Sequence, residues 1–108
     1  MPTLRFHGVC PEKMGANSAV IIKEISQIYK VPEDHVTIEV VQSRFFDSNG
    51  ESSSYPLVEV LAFKRPIKLE DQVAKTVHNY LLSIGYDESE LYFLYVEGRH
   101  YYGNGEHF

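Results

Sequence analysis

The sequence predicts an α+β fold in which two strand–helix–strand repeats form a four-stranded sheet with both helices on one face. Stretches of alternating apolar and polar residues flank two segments with helical spacing of apolar residues. A shift of 55 residues superimposes the two helix starts, Pro11 and Pro66, and the starts of the strands that follow, Val36 and Leu91. Because strand–helix–strand units generally return parallel and right-handed, two of them place both helices on the same side of one sheet.

The first strand is predicted over Thr3–Val9. Leu4 and Phe6 alternate with Arg5 and His7, which is the strand period of two. One face of this strand is therefore apolar, and the other face carries the polar residues.

The first helix is predicted over Pro11–Lys30. Proline suits the first helical position, where its missing N–H is not needed, and Pro32 prevents the helix from continuing. The apolar residues at helical spacing are Met14, Ile21, Ile25 and Ile28. Val36–Phe46 then follows as the longest strand candidate.

The polar stretch Asp47–Ser54 contains Asn49-Gly50, a strong turn signal, and predicts a hairpin or connecting loop. Neither half of the chain could bury a core alone, so we expect this stretch to be the midpoint of a single domain spanning residues 1–108. The first repeat covers about residues 2–46, the second about 56–97, and residues 98–108 form a tail.

The second repeat begins with a strand over Tyr55–Phe63. A helix starting at Pro66 carries an apolar stripe, and Gly85 provides a C-terminal stop. The last strand is predicted over Leu91–Glu97. In the tail, the glycines of Gly103-Asn104-Gly105 predict a turn.

The sheet face opposite the helices mixes charged residues with large apolar ones. Arg5, Glu39 and Glu59 share it with Leu61 and Phe63. This mixture favours burial of the face by other subunits, with Arg5 paired to both glutamates where the strands are adjacent, since a buried charge needs a partner. The alternative is a solvated face with ordinary cross-strand ion pairs.

Composition excludes several classes of protein. The formal net charge of −5 and the scattered basic residues argue against a nucleic-acid surface. A single cysteine, Cys10, excludes an internal disulfide framework and suits the cytoplasm. No signal peptide or membrane span is expected, and without a glycine-rich phosphate loop we expect no cofactor.

The Met1-Pro2 start has a specific chemical consequence. Removal of Met1 would leave Pro2 with a free secondary amine. An α-amino group has a pKa of about 7.7–8.0 in model peptides, and an apolar pocket would lower this pKa. Such an amine would be a base suited to moving protons on carbon, although Met-Pro is also simply a common start.

Three segments together carry a resemblance that covers the whole chain. They are Met1–Phe6 (MPTLRF), Tyr55–Leu61 (YPLVEVL) and Tyr101–Phe108 (YYGNGEHF). The chain resembles the tautomerase superfamily, which includes 4-oxalocrotonate tautomerase and macrophage migration inhibitory factor. It is most similar to a small, functionally uncharacterised bacterial branch.

The resemblance implies a tautomerase-like two-layer sandwich and a homotrimer with the uncovered sheet faces around a central axis. It also implies that Pro2 is the general base and acid that moves a proton next to a carbonyl of a small keto or unsaturated acid. Lys30 falls where the migration inhibitory factor branch has a pocket lysine, and Tyr92 falls near the pocket tyrosine of that branch. The catalytic candidates are therefore Pro2, Lys30 and Tyr92.

Two departures limit what the resemblance implies about the substrate. Leu94 occupies the position of the pocket asparagine of the migration inhibitory factor branch, and Arg5 does not match the arginines of the oxalocrotonate branch. We nevertheless expect Arg5, Phe63 and Tyr101 to contact a small-molecule carboxylate substrate.

Other interpretations stay open at this point. His7 and Cys10 have a ligand-like spacing, but a zinc site needs about four ligands and no second pair is near in sequence. A non-catalytic trimeric binding protein with the same fold is the alternative function. A ferredoxin-like βαββαβ fold has the same element order, but it would pair the strands differently and needs no trimer.

Overall fold

The computed structural model describes all 108 residues and begins with the first strand–helix–strand unit. This unit consists of strand β1 (Thr3–His7), helix α1 (Pro11–Tyr29) and strand β2 (Thr37–Val41). A short 3-10 turn, Glu33–His35, connects α1 to β2. The predicted bounds of β1 and α1 are confirmed to within two residues.

A small hairpin separates the two units. It consists of β3 (Phe45–Asp47) and β4 (Gly50–Ser52), which pair antiparallel as a separate two-stranded sheet. The prediction of one strand over residues 36–46 is therefore wrong, because the chain leaves the main sheet after Val41. The predicted hairpin in this polar stretch is confirmed, with its turn at Ser48-Asn49, and Gly50, with φ +111°, begins β4.

The second unit consists of β5 (Leu57–Ala62), α2 (Ile67–Ser83) and β6 (Glu90–Tyr95). The tail forms a 3-10 turn, Gly98–His100, and a hairpin of β7 (Tyr102–Gly103) and β8 (Glu106–His107). Asn104 and Gly105 both have positive φ, as a tight two-residue hairpin turn requires.

The main sheet has the strand order β2-β1-β5-β6. β1 pairs parallel with β2, β5 pairs parallel with β6, and the two units join through antiparallel pairing of β1 with β5. In a ferredoxin-like fold the two strands of each unit are split by another strand. Their direct parallel pairing here excludes that alternative.

One hydrophobic cluster holds the fold together. The alternation of β1 leaves Leu4 and Phe6 completely buried, and β5 buries Val58, Val60 and Ala62 in the same way. Both helices contribute to this cluster, α1 through residues that include Ile21 and Ile25 and α2 through residues that include Val73, Val77 and Leu81. Both helices therefore pack into the same hydrophobic cluster as the buried residues of β1 and β5.

Helix α1 ends in an uncommon way. Lys30 has the left-handed backbone conformation (φ 56°, ψ 49°), and its N–H donates to the Gln27 carbonyl at 3.3 Å. The next N–H, of Val31, donates to the Ser26 carbonyl at 3.1 Å. This is a Schellman ending with lysine at the position where glycine is usual.

No helix is long and apolar enough to cross a membrane.

Candidate functional site

Pro2 lies at the start of the central strand β1 and is completely buried. Its carbonyl accepts the Thr37 N–H at 3.0 Å, which ties the entry of β1 to the start of β2. While Met1 is attached, the Pro2 nitrogen is an amide and has no basic lone pair. Removal of Met1 would place a secondary amine in these buried surroundings.

Lys30 lies at the same end of the domain as Pro2. The parallel pairing of β1 and β2 brings the start of β2 beside Pro2, and α1 ends shortly before that start. The Lys30 side chain is exposed, and no hydrogen bond or ion pair joins it to another side chain. The structure therefore places its amine free at this end of the molecule.

An aromatic cluster occupies the end of β5 that adjoins the entry of β1. Thr3 is opposite Leu61 in the antiparallel register, so Phe63 follows β5 beside the chain that enters β1. The rings of Phe63 and Tyr101 meet edge to face at 5.5 Å, and Phe108 packs against Tyr101 at 4.8 Å. The Phe108 N–H donates to the Tyr101 carbonyl at 2.8 Å.

Two predicted binding residues, Phe63 and Tyr101, are thus in contact. Phe108 completes the cluster through contacts with both rings. Its position at the chain end was the only local signal, and the hairpin β7–β8 is what brings it back to Phe63.

Tyr92 lies on β6, the edge strand, two strands away from β1. At the usual strand spacing this separates it from β1 by about 10 Å. It is 42% exposed and stands opposite Glu59 on β5. A hydrogen bond to the Glu59 carboxylate raises the pKa of the Tyr92 hydroxyl. Within one chain, Tyr92 is therefore not beside Pro2.

The charged row across the exposed sheet face differs from the prediction in one partner. Arg5 is in register with both Glu39 and Glu59. Its Nε lies 2.8 Å from Glu39 Oε1, although the N–H is not aligned for a hydrogen bond. The prediction that Arg5 also forms a direct pair with Glu59 is wrong, because Glu59 is engaged by His7 instead.

His7 connects this row to the loop after β2. The His7 ring is 2.5 Å from Glu59 Oε1 through Nε2 and 2.6 Å from Ser43 Oγ through Nδ1. The side chains of His7 and Glu59 are only 19% and 16% exposed. Strand alternation puts His7 and Glu59 on one face, but only the path of the loop brings Ser43 to them.

Several neighbours keep Glu59 ionised. The hydrogen bond from His7 lowers the pKa of Glu59 most, and the Tyr92 hydroxyl lowers it further. The Arg5 charge acts in the same direction, and these effects outweigh the opposing effect of burial.

Three surface clefts are present, and none is lined by Pro2. One, of about 370 Å³, lies at the carboxyl end of β1 and is lined by residues that include Gly8, Cys10, Ser43 and Tyr86. The others are a cleft of about 390 Å³ beside Tyr55 and Glu90 and one of about 260 Å³ between the helices. No group of three or more His, Cys, Asp or Glu side chains is arranged to hold a metal ion.

Comparison with solved structures gives close matches over the whole chain. A crystal structure of a domain of unknown function (DUF1904) from Sebaldella termitidis ATCC 33386 has a TM-score of 0.91 and 29% identity, with 100% of both chains covered. The macrophage migration inhibitory factor-like protein EhMIF from Entamoeba histolytica has a TM-score of 0.78 and 12% identity, with 99% of this chain and 98% of that chain covered.

A fused 4-OT described as a wild-type asymmetric trimer has a TM-score of 0.82 and 9% identity, with 97% of this chain and 94% of that chain covered. At such identities the last two matches show the fold alone. They confirm the tautomerase-like α+β fold that the sequence predicts. No curated protein matches the chain at a significant level. The family model described as "Domain of unknown function (DUF1904)" matches residues 1–107, and the chain therefore belongs to that family.

Proposed function

We propose that the protein is a tautomerase-type isomerase in which the Pro2 amine, freed by removal of Met1, is the general base and acid. The observation that carries the proposal is the complete burial of Pro2 at the start of the central strand. Burial disfavours the charged form of an amine, so the free Pro2 would be a neutral base at physiological pH.

The reaction needs no oxidant and no cofactor. The Pro2 nitrogen takes a proton from the carbon next to a carbonyl and returns it to a different atom of the same molecule. Negative charge develops on the carbonyl oxygen in between. Lys30 is the proposed cation for that charge, because its amine is unpaired at the same end of the domain.

The proposed active form is a homotrimer. In a single chain no cleft adjoins Pro2, and Tyr92 lies two strands away from it. The fused 4-OT with the same fold is described as a trimer. A neighbouring copy would complete the pocket and bring its own Tyr92 towards Pro2.

The proposed substrate is a small keto or unsaturated carboxylate. The Phe63–Tyr101–Phe108 cluster provides an apolar wall beside the entry of β1. Arg5 is 42% exposed and is the cation that would pair with the carboxylate across the subunit contact.

The first experiment measures the intact mass of untagged protein from its native host and then titrates the Pro2 nitrogen by NMR. We expect loss of Met1 and a Pro2 pKa below about 7. The processed protein should accelerate the ketonisation of phenylenolpyruvate, and Pro2→Ala should lose most of that rate because a primary amine replaces the proline nitrogen. A variant with one Ser inserted between Met1 and Pro2 controls for the need for a free terminus. Equal rates in all three proteins would disprove the proposal.

The alternative function is a non-catalytic trimeric binding protein. It is favoured by the absence of a cleft lined by Pro2 in the single chain. Retention of Met1 in the native host would support this alternative and exclude proline catalysis.

A further inference from the structure

A hydrogen-bonded chain of serine, histidine and glutamate lies at the end of β1 opposite to Pro2. Ser43 Oγ and His7 Nδ1 are 2.6 Å apart, and His7 Nε2 and Glu59 Oε1 are 2.5 Å apart. These residues are 36 and 52 positions apart in sequence. Their assembly therefore depends on tertiary structure and not on a local turn.

The direction of the hydrogen bonds follows from the ionised carboxylate. An ionised Glu59 can only accept, so His7 Nε2 must carry the hydrogen. In the neutral imidazole, Nδ1 is then the acceptor, and Ser43 donates its hydroxyl hydrogen to it. The histidine is held in the tautomer that can remove a proton from the serine, which is the arrangement of an activated nucleophile with its base and orienting acid.

The acid is itself held in place. Glu59 stands opposite Arg5 on one side and Tyr92 on the other in the strand register. The Tyr92 hydroxyl and the Arg5 charge both favour the ionised form of Glu59. The carboxylate is thus kept as a hydrogen-bond acceptor for His7, as the orienting member of such a chain must be.

Ser43 also lines a cleft large enough for a small molecule. The cleft of about 370 Å³ runs along Gly8, Cys10 and Ser43. Gly8 has φ +72°, and a Cβ there would lie 2.1 Å from the Tyr55 carbonyl oxygen, so glycine is needed for the chain to close this end of the sheet. The residues Cys10 and Pro11 in the cleft wall begin α1, whose first turn has no capping side chain. Glu12 in this first turn already supplies the negative charge that the helix dipole favours, and the Cys10 N–H donates to the Tyr86 hydroxyl at 2.8 Å.

We propose that Ser43, with His7 as its base and Glu59 as the orienting acid, is a nucleophilic site that hydrolyses small carboxylic esters. The Ser43 oxygen bonds to the carbonyl carbon, its proton passes to His7 Nδ1, and the alcohol leaves with that proton. Water then attacks the acyl-serine, His7 again relays the proton, and the carboxylic acid is released with Ser43 restored. The cleft volume of about 370 Å³ sets the small size of the substrate.

This site is independent of Pro2. It lies at the other end of β1, uses an intact or processed N-terminus equally well, and involves none of the proposed proton-transfer groups at Pro2 and Lys30. Arg5 and Tyr92 flank Glu59 and also belong to the proposed tautomerase pocket and subunit contact, so the two proposals are separated by their readouts. Labelling of Ser43 does not need a free Pro2 amine, and ketonisation does not need the Ser43 hydroxyl.

The test is covalent labelling of the full-length protein with a fluorophosphonate, followed by intact mass and peptide mapping, together with hydrolysis of p-nitrophenyl acetate. We expect a single adduct on Ser43 at neutral pH and no adduct in Ser43→Ala. His7→Gln and Glu59→Gln should label at least ten-fold more slowly. Ser53→Ala, an exposed neighbour outside the cleft wall, should label like the unchanged protein.

Circular dichroism must first show that each variant is folded. If His7→Gln or Glu59→Gln does not fold, Ser43→Cys replaces it, and its thiol should react with iodoacetamide faster than Cys10 does. An unlabelled Ser43 in the folded protein, an adduct at another serine, or equal labelling rates in the His7 and Glu59 variants would overturn the proposal. In that case the three residues only brace the loop after β2 against the sheet.

Discussion

Lys30 combines a strained backbone conformation with a side chain that we propose to be functional. A non-glycine residue in the left-handed conformation costs roughly 1–2 kcal/mol. Two backbone hydrogen bonds at the end of α1 hold Lys30 in it. Such strain concentrates at functional sites, and the exposed amine at this position is the proposed stabiliser of the enolate charge.

Lys30→Gly should therefore raise the stability of the protein and lower its tautomerase activity. We expect the free energy of unfolding in urea to rise by about 1 kcal/mol, because glycine adopts the left-handed conformation without strain. The tautomerase rate should fall as the cation is lost. Lys30→Ala removes the same amine but keeps the strain, so it should lose activity without gaining stability. A stability gain in both variants would show that the backbone conformation is not the cause.

Arg5, His7 and Glu59 illustrate what cannot be read from single residues. Alternation correctly places all three on one sheet face. The register leaves the choice open, because Arg5 is opposite both glutamates. In the structure Arg5 pairs with Glu39, and His7, diagonal to Glu59 across the strands, takes Glu59. A pattern of charges therefore predicts that ion pairs form, but it does not predict which residues are paired.

At the scale of the elements, the end of β1 depends on close backbone packing. Gly8 combines a positive φ with direct contact to the Tyr55 backbone. By contrast, Gly15 lies in the exposed part of α1, and a Cβ there would meet nothing within 4 Å.

These two glycines form a matched pair of substitutions. Gly8→Ala should destabilise the protein by about 3 kcal/mol or more, because the new Cβ forces the strand end away from residue 55. Gly15→Ala should stabilise it by about 0.5–1 kcal/mol through helix propensity. Urea unfolding of both variants measures the difference. Similar values for the two would mean that the strand end relaxes without loss.

The helices and main strands were predictable because their periodicity is local. The exception is the segment after Val41, where the apolar residues Phe45 and Phe46 look like a continued strand. In the structure this segment forms its own hairpin, braced by two hydrogen bonds from Arg44 to Glu51 at 3.0 and 2.7 Å. The edge-to-face contact of Phe45 with Tyr55 at 5.1 Å holds the hairpin near the second unit. The apolar periodicity is the same whether Phe45 and Phe46 continue β2 or form the strand of a separate hairpin.

At the scale of the whole molecule, the outward sheet face is the proposed subunit contact. Leu94 and Tyr92 of the edge strand β6 are 44% and 42% exposed, which is high for large apolar and aromatic side chains in a sheet. A neighbouring copy would cover them.

Leu94→Lys should break the trimer. We expect sedimentation equilibrium to give a trimer for the unchanged protein and a monomer for this variant, because a lysine would be buried at the contact without a partner. Ile67→Lys places the same charge at an exposed apolar residue of α2, away from the sheet face, and should leave the assembly unchanged. A monomer for the unchanged protein would contradict the proposed assembly.

The sequence by itself determined the two strand–helix–strand units, their parallel strands and the buried faces, since apolar periodicity follows from the geometry of the local chain. It also singled out Pro2 at the start of β1, and the resemblance to the tautomerase superfamily singled out Lys30 at the end of α1. Only the tertiary structure decided that His7 joins Ser43 to Glu59 and that Phe108 returns to Phe63 and Tyr101. Those contacts depend on strand register and on the paths of loops. Both bring together residues that are distant in sequence, and no periodic pattern in the sequence predicts them.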